Sequence, residues 1–555
     1  MALTHRVLPF SAGTLASVAV SAALGYLIYR LLRLGRRPAY LPPGPQTQAI
    51  WGNLKQVWLR LNDEQEYIPD NRFSPHQYAD WALTHGPVYT VMQGDTPQII
   101  VNRAAEARDV FVKQGAYTQN RPPFRSIMLL RDGYFPSLMN GSKWQNARKM
   151  WQVVLSSSAI KNYIPYQELE SEQLLLDTLN EPLLWYDHLE RFANSVGMVM
   201  VNGYRITSSS DPIVKETVED LYDLSRVGFS GNMLDFWPFL ERVVWTLPIY
   251  KVGRRMAKKH KDYIWKNYFG VKQRAEQGTR LPSFNRTIQE RLQEGWTEVS
   301  ELEGAEIGQH LLSGSTDTVV STLTTCIAAL CLFPDVQRKA QEEIDRVVGP
   351  DRLPRGEDEI NLPYIQQLLL EAQRWCPAMP LCVARVTSGP VSWGKYNFPE
   401  NTGLTINTYA IHNDPELYPE PHIFMPERWE GRIKAAHGEN QLLFTFGAGR
   451  RFCPGKSLAE KSLFIAIARW LWAFNTSHAT DEEGNKIPID PKDLRPGNIV
   501  RIKRFSADVQ PRNPQRAGVI RRVWREKCDT LLDENHQWKT NPERIAESMK
   551  MECDI

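Results

Sequence analysis

The stretch Phe446–Gly455, FGAGRRFCPG, holds one cysteine in a glycine-rich loop, two residues after Arg451. The next run, Lys456–Phe474, has helical periodicity, so Cys453 is predicted to lie just before a helix N-terminus. Helix N-terminal amides and nearby cations lower the pKa of a thiol, and this favours a thiolate. The glycines of the loop would let backbone N–H groups approach the sulfur of a metal-bound cysteine.

Three other interpretations of Cys453 stay open from these residues alone. Most single cysteines are buried packing residues. The pair Gly447 and Gly449 after an apolar run could open a dinucleotide-binding loop, but Phe452 stands where the third glycine is required. A catalytic cysteine is the third alternative, although no base lies nearby in the sequence.

The ten-residue pattern as a whole resembles the haem-binding loop of the cytochrome P450 family at each of its fixed positions. The resemblance implies that the cofactor is haem b and that Cys453 is the axial thiolate ligand of its iron. It also implies that Arg451 contacts a haem propionate and that Phe446 packs against the loop.

Composition sets the broad class of the protein. The chain has 555 residues, of which 42% are hydrophobic and 23% are charged, so it can bury a large core. A net charge of +3 gives no indication of nucleic-acid binding. The seven cysteines have irregular spacings and match neither a zinc pattern nor a disulfide framework, which favours chemistry in a reducing compartment.

The N-terminal region predicts a membrane anchor. The stretch Val7–Tyr29 carries no charge, and as a helix of 23 residues it would reach roughly 34 Å, enough to span a bilayer. Arginines cluster after it, so the positive-inside rule keeps the rest of the chain cytosolic, in the endoplasmic reticulum membrane with a single pass. A cleaved signal peptide and a buried core helix are the alternatives.

The predicted organisation of the chain is mainly α with a small β region, the cytochrome P450 fold, preceded by one transmembrane helix. The segments are a short lumenal N-terminus (1–6), the anchor (7–29), a basic and proline-rich hinge (30–45), the catalytic domain (46–505) and a polar C-terminal extension (506–555).

Short strands are predicted at Val88–Met92 and Gln98–Val101, and one hairpin at Asp481–Arg504 with its turn at Gly484. The loop-rich segment Arg121–Asn140 is long and irregular, which is often a sign of function. The resemblance implies that it forms a wall of the substrate pocket.

Trp144 and Arg148 lie four residues apart on one face of a predicted helix. By themselves they would be a cation–π or packing pair on a surface helix. Beside the cysteine loop, their spacing resembles the Trp-x-x-x-Arg pattern of the family and implies hydrogen bonds to a haem propionate. Arg385 stands where the family often has His or Arg, which implies another propionate contact.

A second chemical feature is the middle of the predicted helix Glu303–Leu332. Its residues Ser313–Thr318 are unusually small and polar, and their hydroxyls can bond to the helix backbone and loosen it, unless the helix simply ends there. The segment resembles the oxygen-activating motif of the family, although Ser315 replaces a glycine. The resemblance implies that Asp317 and Thr318 are catalytic and deliver protons to bound oxygen.

Glu371 and Arg374 lie three residues apart in the predicted helix Tyr364–Pro377. Their simplest interpretation is a surface ion pair, worth about 0.2–0.5 kcal/mol. Together with the later stretch Pro426–Trp429, PERW, they resemble the structural triad of the family. This implies that Glu371, Arg374 and Arg428 form a buried network that holds the haem loop, and that loss of one partner costs about 3–5 kcal/mol.

The resemblance covers nearly all of residues 41–505 and implies a haem-thiolate monooxygenase that inserts one oxygen atom from O₂ into a lipophilic small molecule. The chain is most similar in style to fungal P450s of secondary metabolism. No nucleotide or flavin pattern occurs, so electrons are expected from NADPH–cytochrome P450 reductase, with cytochrome b5 as a second donor. Three cations near the loop, Arg450, Lys456 and Lys461, would meet an acidic partner.

Other functions remain compatible with these motifs. They are a P450-type desaturase or isomerase, a catabolic hydroxylase of xenobiotics or aromatic acids, and a non-catalytic haem-binding or steroid-binding membrane protein.

Overall fold

The computed structural model describes residues 12–58, 74–225, 233–278, 281–495, 497–540 and 542. The described chain is mainly helical, as expected. Its α-helices are α1 (Ala12–Arg33), α2 (Leu54–Trp58), α3 (Ser74–His85), α4 (Ala104–Arg108), α5 (Arg125–Leu130), α6 (Gly141–Val154), α7 (Ser157–Asn180), α8 (Trp185–Asn202), α9 (Pro212–Asp223), α10 (Met233–Phe236), α11 (Pro248–Glu276), α12 (Phe284–Gln293), α13 (Glu301–Leu332), α14 (Pro334–Val347), α15 (Pro363–Trp375), α16 (Thr408–His412), α17 (Lys456–Ala473) and α18 (Pro514–Leu531). Shorter helical segments are the π-helix Asp109–Lys113 and the 3₁₀ segments Pro136–Leu138, Pro182–Leu184, Pro238–Thr246, Gly356–Asn361, Pro426–Trp429, Ile433–Ala435 and Gly449–Arg451.

The β region is small and consists of short strands. They are β1 (Val88–Gln93), β2 (Thr96–Val101), β3 (Arg385–Val386), β4 (Val391–Trp393), β5 (Tyr396–Phe398), β6 (Gly403–Ile406), β7 (Phe474–His478), β8 (Leu494–Arg495), β9 (Arg501–Ile502) and β10 (Ala507–Pro511). A four-stranded sheet has the order β1-β2-β6-β3, with β2 and β6 parallel and Gln98 opposite Gly403. The predicted strands at 88–92 and 98–101 are confirmed as the β1–β2 hairpin.

Helix α13 is the centre of the core. It packs against α8, α15 and α17, and nearly all of its C-terminal half is buried. A capping box starts it, because the Ser300 hydroxyl accepts from the Glu303 N–H while the Glu303 carboxylate accepts from the Ser300 N–H.

The polar middle of α13 does not interrupt the helix. The hydroxyls of Thr316 and Thr318 donate to the carbonyls of Leu312 and Gly314, at 2.9 and 3.0 Å. The predicted local opening is therefore not observed, because these hydroxyls share carbonyls with the helical N–H groups rather than displacing them.

The single hairpin predicted over Asp481–Arg504 is wrong. One turn closes at Asp481–Asn485, and a separate short hairpin pairs β8 with β9. Two prolines, Pro488 and Pro491, lie between the two turns and prevent a continuous ladder because each lacks an N–H donor.

The C-terminal extension is integrated into the domain, which its polar composition did not predict. Strand β10 pairs with β7, and α18 packs against α7. After α18 the chain returns to the end of α8: the Arg205 N–H donates to Gln537 Oε1 at 2.8 Å, and Trp538 is buried against Tyr166.

Helix α1 overlaps the predicted anchor, while residues 1–11 lie outside the described residues. Its described apolar side chains, such as Val20 and Leu24, are exposed. The basic and proline-rich segment after it is fixed to the domain by Thr90, whose hydroxyl donates to Pro42 O at 2.8 Å and whose N–H donates to Pro43 O at 3.0 Å.

Candidate active site

The loop around Cys453 is tightly folded. The Cys453 N–H donates to Phe446 O at 2.9 Å, and the Phe446 ring packs against the rings of Phe452 and His437. Gly449 has a φ of 57°, and a Cβ there would lie 2.1 Å from a backbone oxygen of the neighbouring π-helix. Only glycine fits this close approach, which fixes the loop against residues 109–113.

The Cys453 side chain is exposed, although protein atoms surround it closely. Its exposed surface therefore faces a space inside the protein. Burial raises the pKa of the thiol, and the N–H groups of Gly455 and Lys456 and the cation of Arg148 lower it by less. The sequence-based expectation of a lowered pKa is therefore wrong for the protein alone, because desolvation outweighs the amides. A metal ion would deprotonate such a thiol directly.

Four arginines converge beside this loop without an acidic partner. They are Arg121, Arg148, Arg385 and Arg451, and in the part of the chain that the structure describes none of them forms an ion pair with a carboxylate. Burial lowers the pKa of Arg451 to about 9, with further contributions from Arg385 and Arg148. Burial also lowers the pKa of Arg385 to about 10. Such a buried cationic cluster requires an anionic group to offset its repulsion.

Each of these guanidinium groups is held by backbone carbonyls. Arg451 donates to Gln119 O at 2.8 Å and to Met139 O at 2.9 Å. The remaining donors are Arg148 to Phe452 O at 2.7 Å, Arg385 to Ala448 O at 2.5 Å and Arg121 to Val383 O at 2.5 Å. Buried nitrogens of Arg121 (Nε) and Arg385 (Nη1) have no hydrogen-bond partner among the described residues.

Trp144 and Arg148 both reach the cysteine loop, but not as a pair. The Arg451 guanidinium lies 3.8 Å from the centre of the Trp144 ring, while Arg148 contacts the backbone of Phe452. The arrangement is a cation–π contact across two elements, because α6 runs alongside the loop.

Arg121 is one of the residues of this site that the sequence did not identify. It stands directly before Pro122 and Pro123, in a segment without regular periodicity, and so carried no pattern of its own. Its position next to two other arginines is a tertiary property of the fold. Together with Phe124 and Val383 it also lines a cavity of about 590 Å³ between the four-stranded sheet and α5.

One face of α13 is accessible inside the otherwise buried helix. Between Gly304 and Cys331 the residues that are not buried are His310, Ser313, Gly314, Ser315, Asp317 and Thr318. Five of them, at spacings of three and four residues, share one side of the helix, which we call the open face: His310, Ser313, Gly314, Asp317 and Thr318. A Cβ at Gly314 would have no atom within 4 Å, so this face borders open space.

The two residues of the predicted catalytic pair, Asp317 and Thr318, have different hydrogen-bond and ion-pair partners. The Thr318 hydroxyl donates to Gly314 O on the open face. The Asp317 carboxylate lies 3.5 Å from Arg501, a buried residue of β9 that also donates to Glu190 at 3.0 Å. Arg501 was not identified from the sequence, because nothing local marks it as a partner of α13.

The residues Glu371, Arg374 and Arg428 form one buried network. Arg374 makes a bidentate contact with Glu371, at 2.7 and 2.9 Å, and Arg428 donates to the same carboxylate at 3.0 Å. Trp429 and the Met425 N–H also donate to Glu371, each at 3.0 Å. The surface-pair interpretation is excluded because both members of the Glu371–Arg374 pair are fully buried.

This network connects to the cysteine loop through a histidine that the sequence did not reveal. Arg374 donates to His412 O at 3.0 Å, and His412 Nε2 accepts from the Phe444 N–H at 2.9 Å. Burial lowers the pKa of His412 to about 3, so its ring stays neutral and can accept this bond. Phe444 lies two residues before Phe446, where the loop begins.

These residues fit a haem group. Cys453 offers one sulfur toward an internal space, the open face of α13 borders open space, and the arginine cluster requires the kind of negative charge that two propionates carry. The fit rests on the orphaned buried cations and on the thiol, and it includes Arg121 in addition to the residues predicted from the sequence.

Known proteins resemble this chain over most of its length. Residues 42–503 match the family described as Cytochrome P450. The cytochrome P450 monooxygenase alnH of Emericella nidulans is 54% identical over 540 residues, which cover 97% of this chain and 96% of that protein. The monooxygenase virE of Hypocrea virens is 34% identical and covers 93% and 94%.

Among solved structures, a zebrafish cytochrome P450 with abiraterone has a TM-score of 0.63 at 21% identity, covering 79% of this chain and 100% of that chain, which shows a shared fold. The mainly helical cytochrome P450 fold and the family expected from the cysteine loop are thereby confirmed, whereas the transmembrane helix before the fold stays a prediction. This chain belongs to the cytochrome P450 monooxygenase family.

Proposed function

We propose that this protein is a haem-thiolate monooxygenase that inserts one oxygen atom from O₂ into a lipophilic small molecule of a fungal secondary-metabolite pathway. The observation that carries the proposal is the convergence of Cys453 with four arginines that have no carboxylate partner among the described residues. The kinship with fungal monooxygenases of nearly full length supports the reaction class.

Haem b, bound through a thiolate, activates O₂ for insertion into a C–H bond. In the proposal Cys453 holds the iron, and Arg148, Arg385 and Arg451, together with Arg121, hold the propionates. Trp144 orients Arg451 through its ring, and Phe446 supports the loop. The network of Glu371, Arg374 and Arg428 keeps that loop in place through His412.

Asp317 and Thr318 deliver protons in this scheme. The Thr318 hydroxyl lies on the open face and donates to Gly314 O; rotation about its C–O bond would turn that proton toward the open space. In the proposal Asp317, the preceding residue in the chain, restores that proton. Arg501, at 3.5 Å, stabilises the negative charge that Asp317 carries after it has given up a proton.

Electrons come from NADPH–cytochrome P450 reductase, with cytochrome b5 as a second donor. The overall reaction RH + O₂ + NADPH + H⁺ → ROH + H₂O + NADP⁺ then balances. Two of the three cations proposed for docking already have acidic partners within the chain. Lys456 pairs with Glu460 at 2.6 Å, and Lys461 pairs with Glu359. Arg450 is exposed and has no ion-pair partner within the described chain, so it is the cation best placed for an acidic partner.

The proposed anchor is the region of α1, with a single pass through the endoplasmic reticulum membrane and a cytosolic catalytic domain. Exposed apolar side chains along α1 support it, since a helix of 22 residues extends roughly 33 Å. Among the described residues, α13 is the one helix that is long and apolar enough to cross a membrane, and 78% of its apolar window is buried in the core. The segment limits at 7–29, 30–45, 46–505 and 506–555 remain part of this proposal.

The reduced carbon-monoxide difference spectrum tests the proposal. Wild type should show the red-shifted band of a thiolate-ligated haem, and Cys453→Ala should lose it. The matched control is Cys382→Ala, a half-buried thiol that contacts Thr408 and Phe444 near the same loop, which should keep the band. A wild type without the band, or a Cys453→Ala variant with it, would overturn the assignment.

A further inference from the structure

His310 begins the open face of α13 and has no part in the proton delivery proposed above. It lies one turn before Gly314 and two turns before Thr318. Eight residues of α-helix correspond to about 12 Å along the axis. His310 and Thr318 therefore mark two ends of one accessible face, with the open space at Gly314 between them.

The His310 ring is held in one orientation by two aromatic neighbours. It stacks on Trp151, with ring centres 5.2 Å apart, and meets Phe135 edge-on at 4.6 Å. Trp151 is itself fixed, because its indole N–H donates to Ile307 O at 3.2 Å. A ring clamped in this way loses little freedom when it binds a ligand.

The imidazole is a polar group without a polar partner. Neither of its nitrogens hydrogen-bonds to another described residue, and the nearest acid on the same helix face, Glu306, is engaged with His260 at 3.2 Å. Burial, with smaller contributions from Arg131 and His260, lowers the pKa of His310 to about 4. The ring is therefore neutral near pH 7, with one nitrogen as donor and the other as acceptor.

The ring contacts of His310 are aromatic, although Arg131 and His260 lie close enough to lower its pKa. Phe135 belongs to an apolar cluster that also contains Ile127, Leu138 and Leu224. A fixed donor and acceptor beside apolar side chains is the usual means by which a pocket orients a lipophilic ligand.

We propose that His310 is a substrate-recognition residue that hydrogen-bonds a neutral oxygen substituent, a phenol, alcohol or carbonyl, of an elongated apolar substrate. The inference rests on the proposed monooxygenase function and deepens it by naming a substrate class. The recognised oxygen lies at one end of the substrate, and the carbon that is oxidised lies about 12 Å away, beside Thr318. Because the imidazole has no hydrogen-bond partner among the described residues, a ligand without this oxygen would cover its donor and acceptor and leave them unpaired.

Two probes of nearly equal shape test the proposal: 4-hexylphenol and 4-hexyltoluene, which exchanges the hydroxyl for a methyl group. Their dissociation constants are measured with the holoenzyme from the shift of the haem absorption on binding. In wild type the phenol should have the smaller dissociation constant. In His310→Phe this preference for the phenol should decrease by about two- to tenfold, the range of one hydrogen bond. His310→Gln, which keeps a donor and an acceptor, should restore part of the preference.

Ser313→Ala is the matched control. Ser313 lies on the same open face, but its hydroxyl accepts from Gln309 at 3.2 Å, so its loss should leave the ratio unchanged. A His310→Phe variant with the wild-type ratio would overturn the inference, and so would a wild type that shifts with neither probe. If His310→Phe binds no haem, His310→Leu, a smaller change, decides in its place. Failure of the monooxygenase proposal is recognised separately, by the absence of the thiolate band in wild type.

Discussion

Replacement of Arg385 by methionine should have opposite effects on the haem-free and haem-loaded protein. Arg385 is 3% exposed, and burial lowers its pKa from 12.5 to about 10. Each pKa unit corresponds to about 1.4 kcal/mol, so the charge costs the haem-free fold about 3 kcal/mol. Methionine fills similar space without the charge but loses the hydrogen bond to Ala448 O, worth about 1 kcal/mol.

The haem-free variant should therefore be more stable by about 2 kcal/mol. For a chain of this size that difference raises the melting temperature by about 2 °C. Haem binding should weaken by about 3 kcal/mol, roughly a hundredfold, because the bound propionate no longer relieves a buried cation. The measurements are thermal unfolding of protein produced without haem, and transfer of haem from the loaded protein to an apo-globin acceptor.

Arg338→Met serves as control, since Arg338 is an exposed arginine paired with Glu342 on α14. Because exposed ion pairs contribute little to stability, it should leave both the melting temperature and the rate of haem transfer at their wild-type values. The reasoning is refuted if Arg385→Met lowers the stability of the haem-free protein and leaves haem transfer at the wild-type rate. That result would mean that the arginine cluster is satisfied without an anion.

Three further predictions follow from contacts in the same structure. Replacement of Glu371 by glutamine leaves two buried arginines without a carboxylate and should destabilise the holoenzyme by about 3–5 kcal/mol, measured as loss of the thiolate band on heating; an unchanged thermal profile would contradict it. Charge reversal at Arg450 should raise the KM for the reductase in a salt-dependent manner, whereas reversal at the paired Lys461 should change it less; equal effects would argue against this docking position. Burial and Arg131 lower the pKa of His260, but the two carboxylates that flank its ring outweigh them and raise it above 6.5. The protonated ring therefore contributes stability that is complete below pH 6.5 and is lost as pH rises through the raised pKa, so the melting temperature should fall more steeply above pH 6.5 in wild type than in His260→Gln.

Motifs that are contiguous in sequence predicted several local contacts. The loop around Cys453 and the pair Glu371 and Arg374 each follow from residues close together in the chain, and the structure connects them through Arg374, His412 and Phe444. Helix periodicity likewise predicted α13 and α17 to within a few residues, because both helices bury an extended apolar surface.

Partners contributed by distant segments could not be predicted in this way. Arg121, His412 and Arg501 each come from a loop, a short helix or a two-residue strand, where no periodic pattern exists. They act on residues more than thirty positions away, so only the folded chain reveals them. The pKa of Cys453 was misjudged for a related reason, because desolvation depends on every surrounding atom while helix amides are visible locally.

The contact between Arg205 and Gln537 joins residues 332 positions apart. During synthesis, therefore, the hydrogen bond of Arg205, just after α8, cannot form until the residues beyond α18 have been made. Contacts of such sequence separation form late and slow the completion of a fold. We expect the newly made domain to pass through a stage in which its haem-binding segments are present but its last strand and helix are not, a stage at which chaperones and proteases compete for it.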